Sequence, residues 1–278
     1  MLRLREVASG MAALRGCELV VTHGNGPQVG EVLLRSELSV DEVPPVPMDL
    51  AVASTQGSIG TMLVQALRGV LGRPVVALLS HTRVEPTDPA FHRPEKFVGR
   101  FYAEAEALDR KAQLGWQVAE DRGRGWRRVV PSPRPIELLE IDAVRHLLDS
   151  GTVVVAGGGG GVPVMEHGGQ LTGLEAVIDK DRVSALLARQ VEADLLVVLT
   201  GVDHVLVGFG TPHAAPLSEV DPDTLGAHLR AGEFPAGSMG PKIEAVLSFV
   251  APGRSALITS PERLAQALSG NAGTWVRA

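Results

Sequence analysis

Short runs of β-branched and aliphatic residues alternate along the chain with longer stretches in which apolar residues recur every three or four positions. The short runs are bounded by Gly, Pro or polar residues, as is typical of fully buried strands. They lie at residues 18–22, 75–79, 152–156, 195–200 and 256–259. This alternation predicts the α/β class, with a mostly parallel sheet covered by helices and with ligands at the carboxyl ends of the strands.

The helical spacing is clearest just before the third of these strands. Leu138, Ile141, Val144 and Leu148 fall on one face of a predicted helix, and Gly151 is expected to end it. The segment 85–135 departs from the alternation because it is rich in Pro, aromatic and charged residues. We interpret it as a lid-like subdomain, and the alternative is a long surface insertion without a role.

The composition of the chain disfavours several classes of protein. The 278 residues carry 26 basic and 32 acidic side chains, a net charge of -6, and show no basic tail or stripe. Such a charge balance disfavours a nucleic-acid partner. Cys17 is the single cysteine, so an internal disulfide is excluded, and no apolar run reaches the roughly 18 residues of a membrane span. We therefore expect a cytoplasmic protein without a membrane partner.

A first glycine-rich segment follows the first predicted strand. It reads His23, Gly24, Asn25, Gly26 and Pro27. Glycine lets a backbone approach a ligand closely, and proline is favoured in the first turn of a helix. The amides of a helix N-terminus bind phosphates and carboxylates, so the segment is a candidate anion site. A tight strand-to-helix connection is the alternative.

Five consecutive glycines, at 157–161, follow the third predicted strand. Each glycine costs about 0.5–1 kcal/mol relative to Ala in regular structure, which favours close backbone contact with a ligand as the reason for the run. A flexible linker is the alternative. Neither glycine segment matches the Walker A or the dinucleotide-binding fingerprint.

Two lysines are candidates for phosphoryl transfer. Lys180 stands between Asp179 and Asp181 at the start of a predicted helix, where we expect it to be held charged and aimed. Lys242 follows a glycine turn at the start of another helix, where a bound anion would offset the unfavourable position of a cation. Phosphoryl transfer needs cations over the migrating group. An Asp-rich first helical turn is the alternative for residues 179–181. Histidine and cysteine clusters for a protein metal site, and a hydrolase nucleophile, are not apparent.

Seven segments in this order resemble carbamate kinases of the amino acid kinase superfamily. They are THGNGPQVG at 22–30, TQGSIG at 55–60, GRGWRRVVPSPRP at 123–135, AGGGGGVPV at 156–164, LEAVIDKD at 174–181, LTGVD at 199–203 and GSMGPKIEA at 237–245. The resemblance implies an αβα sandwich with an open sheet and a protruding subdomain. It also implies a homodimer in arginine metabolism that transfers a phosphoryl group reversibly between ATP with Mg²⁺ and carbamate, which gives ADP and carbamoyl phosphate.

The same resemblance assigns roles to residues. It implies that Lys180 and Lys242 act on the transferring phosphoryl group and the nucleotide phosphates and that Asp181 orients both ammonium groups. Lys96 is implied as a catalytic lysine that reaches the active site from the subdomain. Arg127 or Arg128 would brace the subdomain. The implied acceptor and phosphate ligands are His23, Gly24, Asn25, Gly26, Gly157, Gly158, Gly159 and Gly160. The implied nucleotide contacts are Thr200, Gly201, Val202, Asp203 and Met239.

The start of the chain differs from the family pattern. Carbamate kinases begin with a strand and a Gly-Gly-Asn-Ala turn before the first helix, whereas Leu4, Val7, Met11 and Leu14 already mark a helical face here. We therefore expect a strand and a phosphate-holding loop to be missing and activity to depend on them. Two alternatives remain: another small-molecule kinase of the superfamily, or an inactive nucleotide-binding homologue.

Overall fold

A computed structural model of the protein describes residues 2–121, 123–235 and 237–278. The helices are α1 Leu2–Gly10, α2 Gly26–Leu38, α3 Met48–Leu71, α4 Glu104–Leu114, α5 Ile141–Asp149, α6 Lys180–Gln190, α7 Pro222–Arg230, α8 Met239–Phe249 and α9 Leu264–Leu268. Short 3-10 turns lie at Met11–Leu14, Pro89–Phe91, Gly158–Gly160 and Pro261–Arg263.

The strands before the middle of the chain are β1 Val20–Val21, β2 Val75–Ala77, β3 His81–Val84, β4 Lys96–Tyr102, β5 Gln117–Glu120, β6 Trp126–Val130 and β7 Pro135–Leu138. Those that follow are β8 Val153–Val155, β9 Val162–His167, β10 Gln170–Gly173, β11 Leu195–Leu199, β12 Val205–Val207, β13 Ala215–Leu217, β14 Glu219–Val220, β15 Ser255–Thr259 and β16 Thr274–Val276.

The centre of the fold is built from parallel strands with helices on both faces. Strand β8 pairs in parallel with β1 and β2, and all three of its valines are buried. Val153 and Val155 pack into the cluster formed with α1 and α3, whereas Val154 packs into the cluster formed with α5 and α6. Side chains alternate across a strand, so this division puts one helix layer on each face. The predicted αβα sandwich is confirmed.

A second sheet carries the C-terminal half. Strands β11 and β15 pair in parallel along their full length, β16 joins β15 in the antiparallel sense, and β14 completes the sheet. Val198 and Ile258 pack against Ile243 and Phe249 of α8. Val197, on the other face of β11, packs against the cluster of α1 and α3. The two outer pairs of this sheet, β11 with β15 and β14 with β16, are therefore parallel, and its central pair is antiparallel.

The segment 85–135 contains regular structure that its sequence does not reveal. Strands β4, β6 and β5 form a separate antiparallel sheet in that order, and α4 joins β4 to β5. Prolines lie at its ends rather than inside its strands, which preserves the ladder hydrogen bonds. The segment contacts the rest of the molecule through β4 and α2, where a Cβ on Gly30 would lie 3.1 Å from the Cα of Gly99. A side chain at position 30 would push the two elements apart.

Two details of the predicted elements change. Leu138 was expected on the helix with Ile141, but it ends strand β7, and α5 begins only at Ile141. Leu138 is buried in the same cluster as Val144, so its burial agrees with the pattern although its backbone does not. The amphipathic helix predicted for the first residues is confirmed as α1 only as far as Gly10, and Met11 and Leu14 lie in the 3-10 turn that follows. Within residues 2–121, 123–235 and 237–278, none of the helices combines the length and apolar character needed to cross a bilayer.

Candidate active site

A cleft of about 1650 Å³ lies where the segment 85–135 faces the rest of the molecule. Its volume exceeds the roughly 300–1,000 Å³ of an ordinary small-ligand pocket, so two substrates fit together. Helices α2, α6 and α8 all begin at this cleft, since Gly26, Lys180 and Met239 line it. The N-terminus of a helix carries partial positive charge and amide donors. Three such ends favour an anionic ligand.

The charged side chains that line the cleft are mostly cationic, whereas the chain as a whole has a net negative charge. Eight Lys or Arg residues line it against five Asp or Glu residues, although the chain has net charge -6. The chain contains only four lysines, and Lys96, Lys180 and Lys242 all line the cleft; Lys111 does not. Arginine supplies most of the positive charge elsewhere, so the ammonium group is concentrated at one site.

One carboxylate joins two of these lysines. Oδ1 of Asp181 accepts from Nζ of Lys180 at 2.6 Å, and Oδ2 accepts from Nζ of Lys242 at 3.1 Å. Lys180 and Asp181 open α6, and Lys242 lies in the first turn of α8, so the packing of these two helices sets the arrangement. A Cβ on Gly24 would lie 3.0 Å from Cδ of Lys180. Glycine at position 24 therefore leaves room for the lysine stem to reach Asp181.

Lys242 is held in a constrained electrostatic environment. Burial lowers the pKa of Lys242, the positive charge of Lys180 lowers it further, and Asp181 opposes both effects. Burial disfavours the charged form of an amine, and a second cation nearby acts in the same direction. A bound phosphate would offset this cost, because it adds negative charge next to both ammonium groups.

Lys180 was expected to be held by both flanking aspartates, but only one of them bonds to it. Only Asp181 bonds to Lys180; Oδ2 of Asp179 accepts from Nζ of Lys96 at 2.7 Å. Asp179 is the N-cap of α6, and its Oδ1 accepts from the backbone amide of Asp181 at 2.9 Å. Burial acts to raise the pKa of Asp179, but Lys96 and the amides of α6 outweigh it and keep that pKa below its usual range.

The first glycine segment forms the start of α2 as predicted. Asn25 is the N-cap position, and Pro27 occupies the first turn. Nδ2 of Asn25 donates to Oγ1 of Thr55 at 2.8 Å, and both residues are buried. Gly24, Asn25 and Gly26 line the cleft. The TQGSIG segment thus supports the loop from α3.

The five glycines at 157–161 are required by contacts within the protein. All five are buried, and only Gly159 lines the cleft. A Cβ on Gly158 would lie 2.2 Å from Nε2 of His23, and one on Gly160 would lie 2.4 Å from the carbonyl oxygen of Ile178. Positive φ angles at 157, 159, 160 and 161 also favour glycine. Close approach to neighbouring segments accounts for the run, and this includes Gly159, where a Cβ would lie 2.0 Å from Nδ2 of Asn25.

Several expected ligands lie behind the surface of the cleft. His23, Gly157, Gly158 and Gly160 are absent from its lining. Burial lowers the pKa of His23, whose ring packs on Gly158 and whose Nδ1 lies 3.0 Å from the carbonyl oxygen of Gly24. These residues shape the two loops from the side away from the cleft.

The cleft also brings together most of the expected nucleotide contacts. Thr200, Gly201, Val202 and Met239 line it. Asp203 does not; its carboxylate accepts from Ser260 at 2.6 Å. Other lining residues were not predicted from the sequence, because no local pattern shows which side chains of a segment will face the cleft. They are the apolar Leu206, Phe209 and Phe234 and the cationic Arg93, Arg124, Arg134 and Arg182.

The arginines of the GWRRVVPSP segment bind within and beside the subdomain. Arg127 donates to the carbonyl oxygen of Gly99 at 2.9 Å and pairs with Asp121 at 3.2 Å. Arg128 pairs with Glu175 at 3.3 Å, outside the segment 85–135. Across the part of the chain that the structure describes, His, Cys, Asp and Glu form no group of three or more that could hold a metal ion.

Comparisons with known proteins agree with this geometry. The model of the "Amino acid kinase family" matches residues 2–260. Carbamate kinase of Pyrococcus horikoshii is 45% identical over 98% of this chain and 90% of its own, and that of Thermococcus kodakarensis is 46% identical over 93% and 85%. Carbamate kinase from Giardia lamblia bound to AMP-PNP superposes with a TM-score of 0.87 at 37% identity, covering 96% of this chain and 89% of that one. The chain belongs to the amino acid kinase family and, within it, to the carbamate kinases.

Proposed function

We propose that the protein transfers a phosphoryl group reversibly between ATP and carbamate. In the direction of ATP formation, the bond between phosphorus and the carbamoyl oxygen breaks, a bond to the terminal oxygen of ADP forms, and carbamate leaves. The observation that carries this proposal is the carboxylate of Asp181, which holds the ammonium groups of Lys180 and Lys242 together at the cleft. The relatives named above support carbamate as the acceptor.

The two lysines supply charge where the reaction needs it. Negative charge spreads over the oxygens of the phosphoryl group as it moves, and catalysis consists mainly of positioning and electrostatic stabilisation. Asp181 keeps both ammonium groups at fixed positions without protein motion during the step. The start of α2, at Gly24, Asn25 and Gly26, would hold the acceptor end through its amides and helix dipole.

The nucleotide would lie at the opposite end of the cleft. Val202, Met239, Phe209 and Phe234 provide an apolar lining for the base. Mg²⁺ would enter as the complex of ATP or ADP, because this ion commonly keeps substrate phosphates and water as ligands. Asp179 and Asp181 are already bonded to lysines. Lys96 would reach the transferring phosphoryl group from the subdomain.

The segment 85–135 is proposed to act as a lid on this cleft. Its sheet is separate from the main sheets, and it contributes Lys96, Arg124 and Arg127 to the lining. Closure of such a segment excludes water from a phosphoryl-transfer site. We expect Arg127 and Arg128 to brace it.

A homodimer in the cytoplasm is proposed as the working state. Exposed apolar residues support the dimer: Leu38 at the end of α2, Val40 and Val43 on the connection to α3, and Leu50 in the first turn of α3 are each at least half exposed. Exposed apolar residues close together along the chain favour a protein partner. Light scattering of Val43→Lys would give monomers if this surface forms the dimer and unchanged dimers if it does not.

The free thiol of Cys17 supports the cytoplasm, because free thiols are usual in a reducing compartment.

A coupled assay tests the reaction itself. ATP formation is measured from ADP, Mg²⁺ and carbamoyl phosphate, beside assays of ATP consumption with N-acetylglutamate, a nucleoside monophosphate and isopentenyl phosphate. We expect turnover with carbamoyl phosphate and loss of turnover in Lys180→Met. Lys111→Met is the matched control, since Lys111 is the one lysine outside the cleft. Turnover with one of the other acceptors in place of carbamoyl phosphate would overturn the proposal.

A further inference from the structure

Asp179 connects two parts of the cleft that are distant in sequence. Its Oδ2 accepts from Nζ of Lys96 at 2.7 Å, across 83 positions of the chain. Its Oδ1 accepts from the amides of Asp181 at 2.9 Å and Arg182 at 3.4 Å, in the first turn of α6. The side chain is 12% exposed, so water screens these contacts weakly.

A helix cap alone does not require this arrangement. Asp221 caps α7 in the same role, and both of its carboxylate oxygens bond to Thr224 of its own helix, at 2.9 and 2.7 Å. Asp179 uses one oxygen for α6 and the other for Lys96 of the subdomain. The second contact adds nothing to the cap, so another role accounts for it.

The two residues of this contact, Asp179 and Lys96, belong to elements that line the cleft. Lys96 is the first residue of β4, and the same strand packs on α2 at Gly99. The first turn of α6 carries Lys180 and Asp181. Asp179 therefore fixes the ammonium group of Lys96 relative to the pair that Asp181 holds. Without Asp179, Lys96 would have a flexible stem of four carbons and many accessible rotamers.

We propose that Asp179 is a positioning residue that sets Lys96 over the transfer site while it caps α6. The inference rests on the proposed phosphoryl transfer and gives Asp179 a role on Lys96 in place of the one expected on Lys180. Asp179 touches no reacting atom in this account; it acts through Lys96.

Asp179→Asn separates the two functions of the side chain. The amide oxygen of Asn caps a helix as well as Asp does, but the amide nitrogen that replaces Oδ2 cannot accept from Lys96. Asp221→Asn is the matched control, since it makes the same change at a cap away from the cleft. Lys96→Met and the double variant Asp179→Asn, Lys96→Met complete a double-mutant cycle.

Two readouts are taken on the full chain. The first is kcat/KM for carbamoyl phosphate at saturating ADP: Asp179→Asn is expected to lose about 10- to 100-fold and Asp221→Asn less than about twofold. In the Lys96→Met background, Asp179→Asn should change kcat/KM by less than about threefold, and KM for ADP should stay within about twofold throughout. The second readout is the denaturant midpoint without substrates, in which the effects of Asp179→Asn and Lys96→Met should be non-additive.

Either of two results would overturn the proposal. Additive effects on kcat/KM, or an Asp179→Asn variant as active as Asp221→Asn, would show that Asp179 does not act through Lys96. If the wild-type chain did not turn over carbamoyl phosphate, the proposed function would fail, and the unfolding cycle would still decide whether the pair exists: additive midpoints would exclude it. Should Asp179→Asn not fold, Asp179→Ser carries the same test, because Ser also caps helices.

Discussion

Both walls of the cleft hold a carboxylate that is shared by two cations, but the cations differ in kind and in origin. On the body wall, formed by α6 and α8, Asp181 binds Lys180 and Lys242 at 2.6 and 3.1 Å. On the subdomain wall, formed by residues 85–135, Asp121 binds Arg124 and Arg127 at 2.8 and 3.2 Å. The first trio joins two helices, whereas the second closes one hairpin between β5 and β6.

The two groups of cations differ in proposed role: the lysines of the body wall act on the substrate, and the arginines of the subdomain wall hold the subdomain together. The guanidinium group of Arg127 directs its planar donors to Asp121 and to the carbonyl oxygen of Gly99, both within the subdomain. An ammonium group is a compact point charge, and Asp181 holds two of them, on Lys180 and Lys242, side by side. We therefore expect substitutions on the body wall to affect turnover and substitutions on the subdomain wall to affect order.

The largest effect is expected from Lys180→Met and Lys242→Met. Each removes a cation from the transferring phosphoryl group, and loss of such transition-state stabilisation lowers kcat by about 100- to 1,000-fold. Steady-state ATP formation measures the effect, with Lys111→Met as the control and circular dichroism as the check on folding. A wild-type kcat in either variant would contradict the claim that the cations of the body wall are needed for turnover.

The next largest effect is expected in hydrogen exchange, which should respond to ligands in the subdomain but not in the buried strands of the body. Amide hydrogen exchange in residues 85–135 is expected to slow about tenfold or more when ADP and carbamoyl phosphate are both present, because closure protects the amides of β4 and β6. Buried strands such as β8 and β15 should be protected equally with and without ligands. Exchange in 85–135 that ignores both ligands would contradict the lid.

The pH dependence of kcat/KM tests the environment of Lys242. Burial and Lys180 lower the pKa of this ammonium group, so it loses its proton at a lower pH than an ordinary lysine, whose pKa is about 10.4. We expect kcat/KM, which reports the free enzyme, to fall as the pH rises through this lowered pKa. Lys242→Arg stays charged and should lack that limb. An identical alkaline limb in Lys242→Arg would assign it to another group.

The smallest effect on turnover is expected from Asp121→Asn. The change weakens two arginine contacts in the hairpin of β5 and β6, so hydrogen exchange there should become faster. Turnover should stay within about threefold of wild type, since none of the three groups is assigned to the phosphoryl group. Asp181→Asn is the comparison on the body wall, and equal losses of kcat in both variants would contradict the division proposed here.

The sequence predicted the body wall better than the subdomain wall. The buried strand at 152–156, the capped start of α6 at Lys180 and the glycine turn before Lys242 in the first turn of α8 follow from local patterns, and the structure confirms these elements. The strands of the subdomain mix aromatic, charged and apolar residues, because arginines pack on aromatic rings there; Arg127 lies 5.0 Å from the ring of Phe101. Such a sheet has no simple two-residue apolar alternation.

Packing between distant segments was beyond the reach of local patterns. The contact of Asp179 with Lys96 spans 83 positions, and the close approach of Gly160 to Ile178 depends on how two loops meet. The sequence shows that five glycines need a reason, but a ligand and a neighbouring backbone make the same demand on a glycine. Only the folded arrangement distinguishes these two causes.

The scarcity of lysine gives this chain an unusual chemical profile. A reagent that acylates primary side-chain amines meets four lysines, of which three line one cleft and Lys111 lies apart. Protection of Lys96, Lys180 and Lys242 by a bound molecule can then be measured by mass spectrometry against Lys111 as an internal reference. Occupancy of the cleft becomes a ratio of labelled peptides within one sample, without substitution of any residue and without turnover.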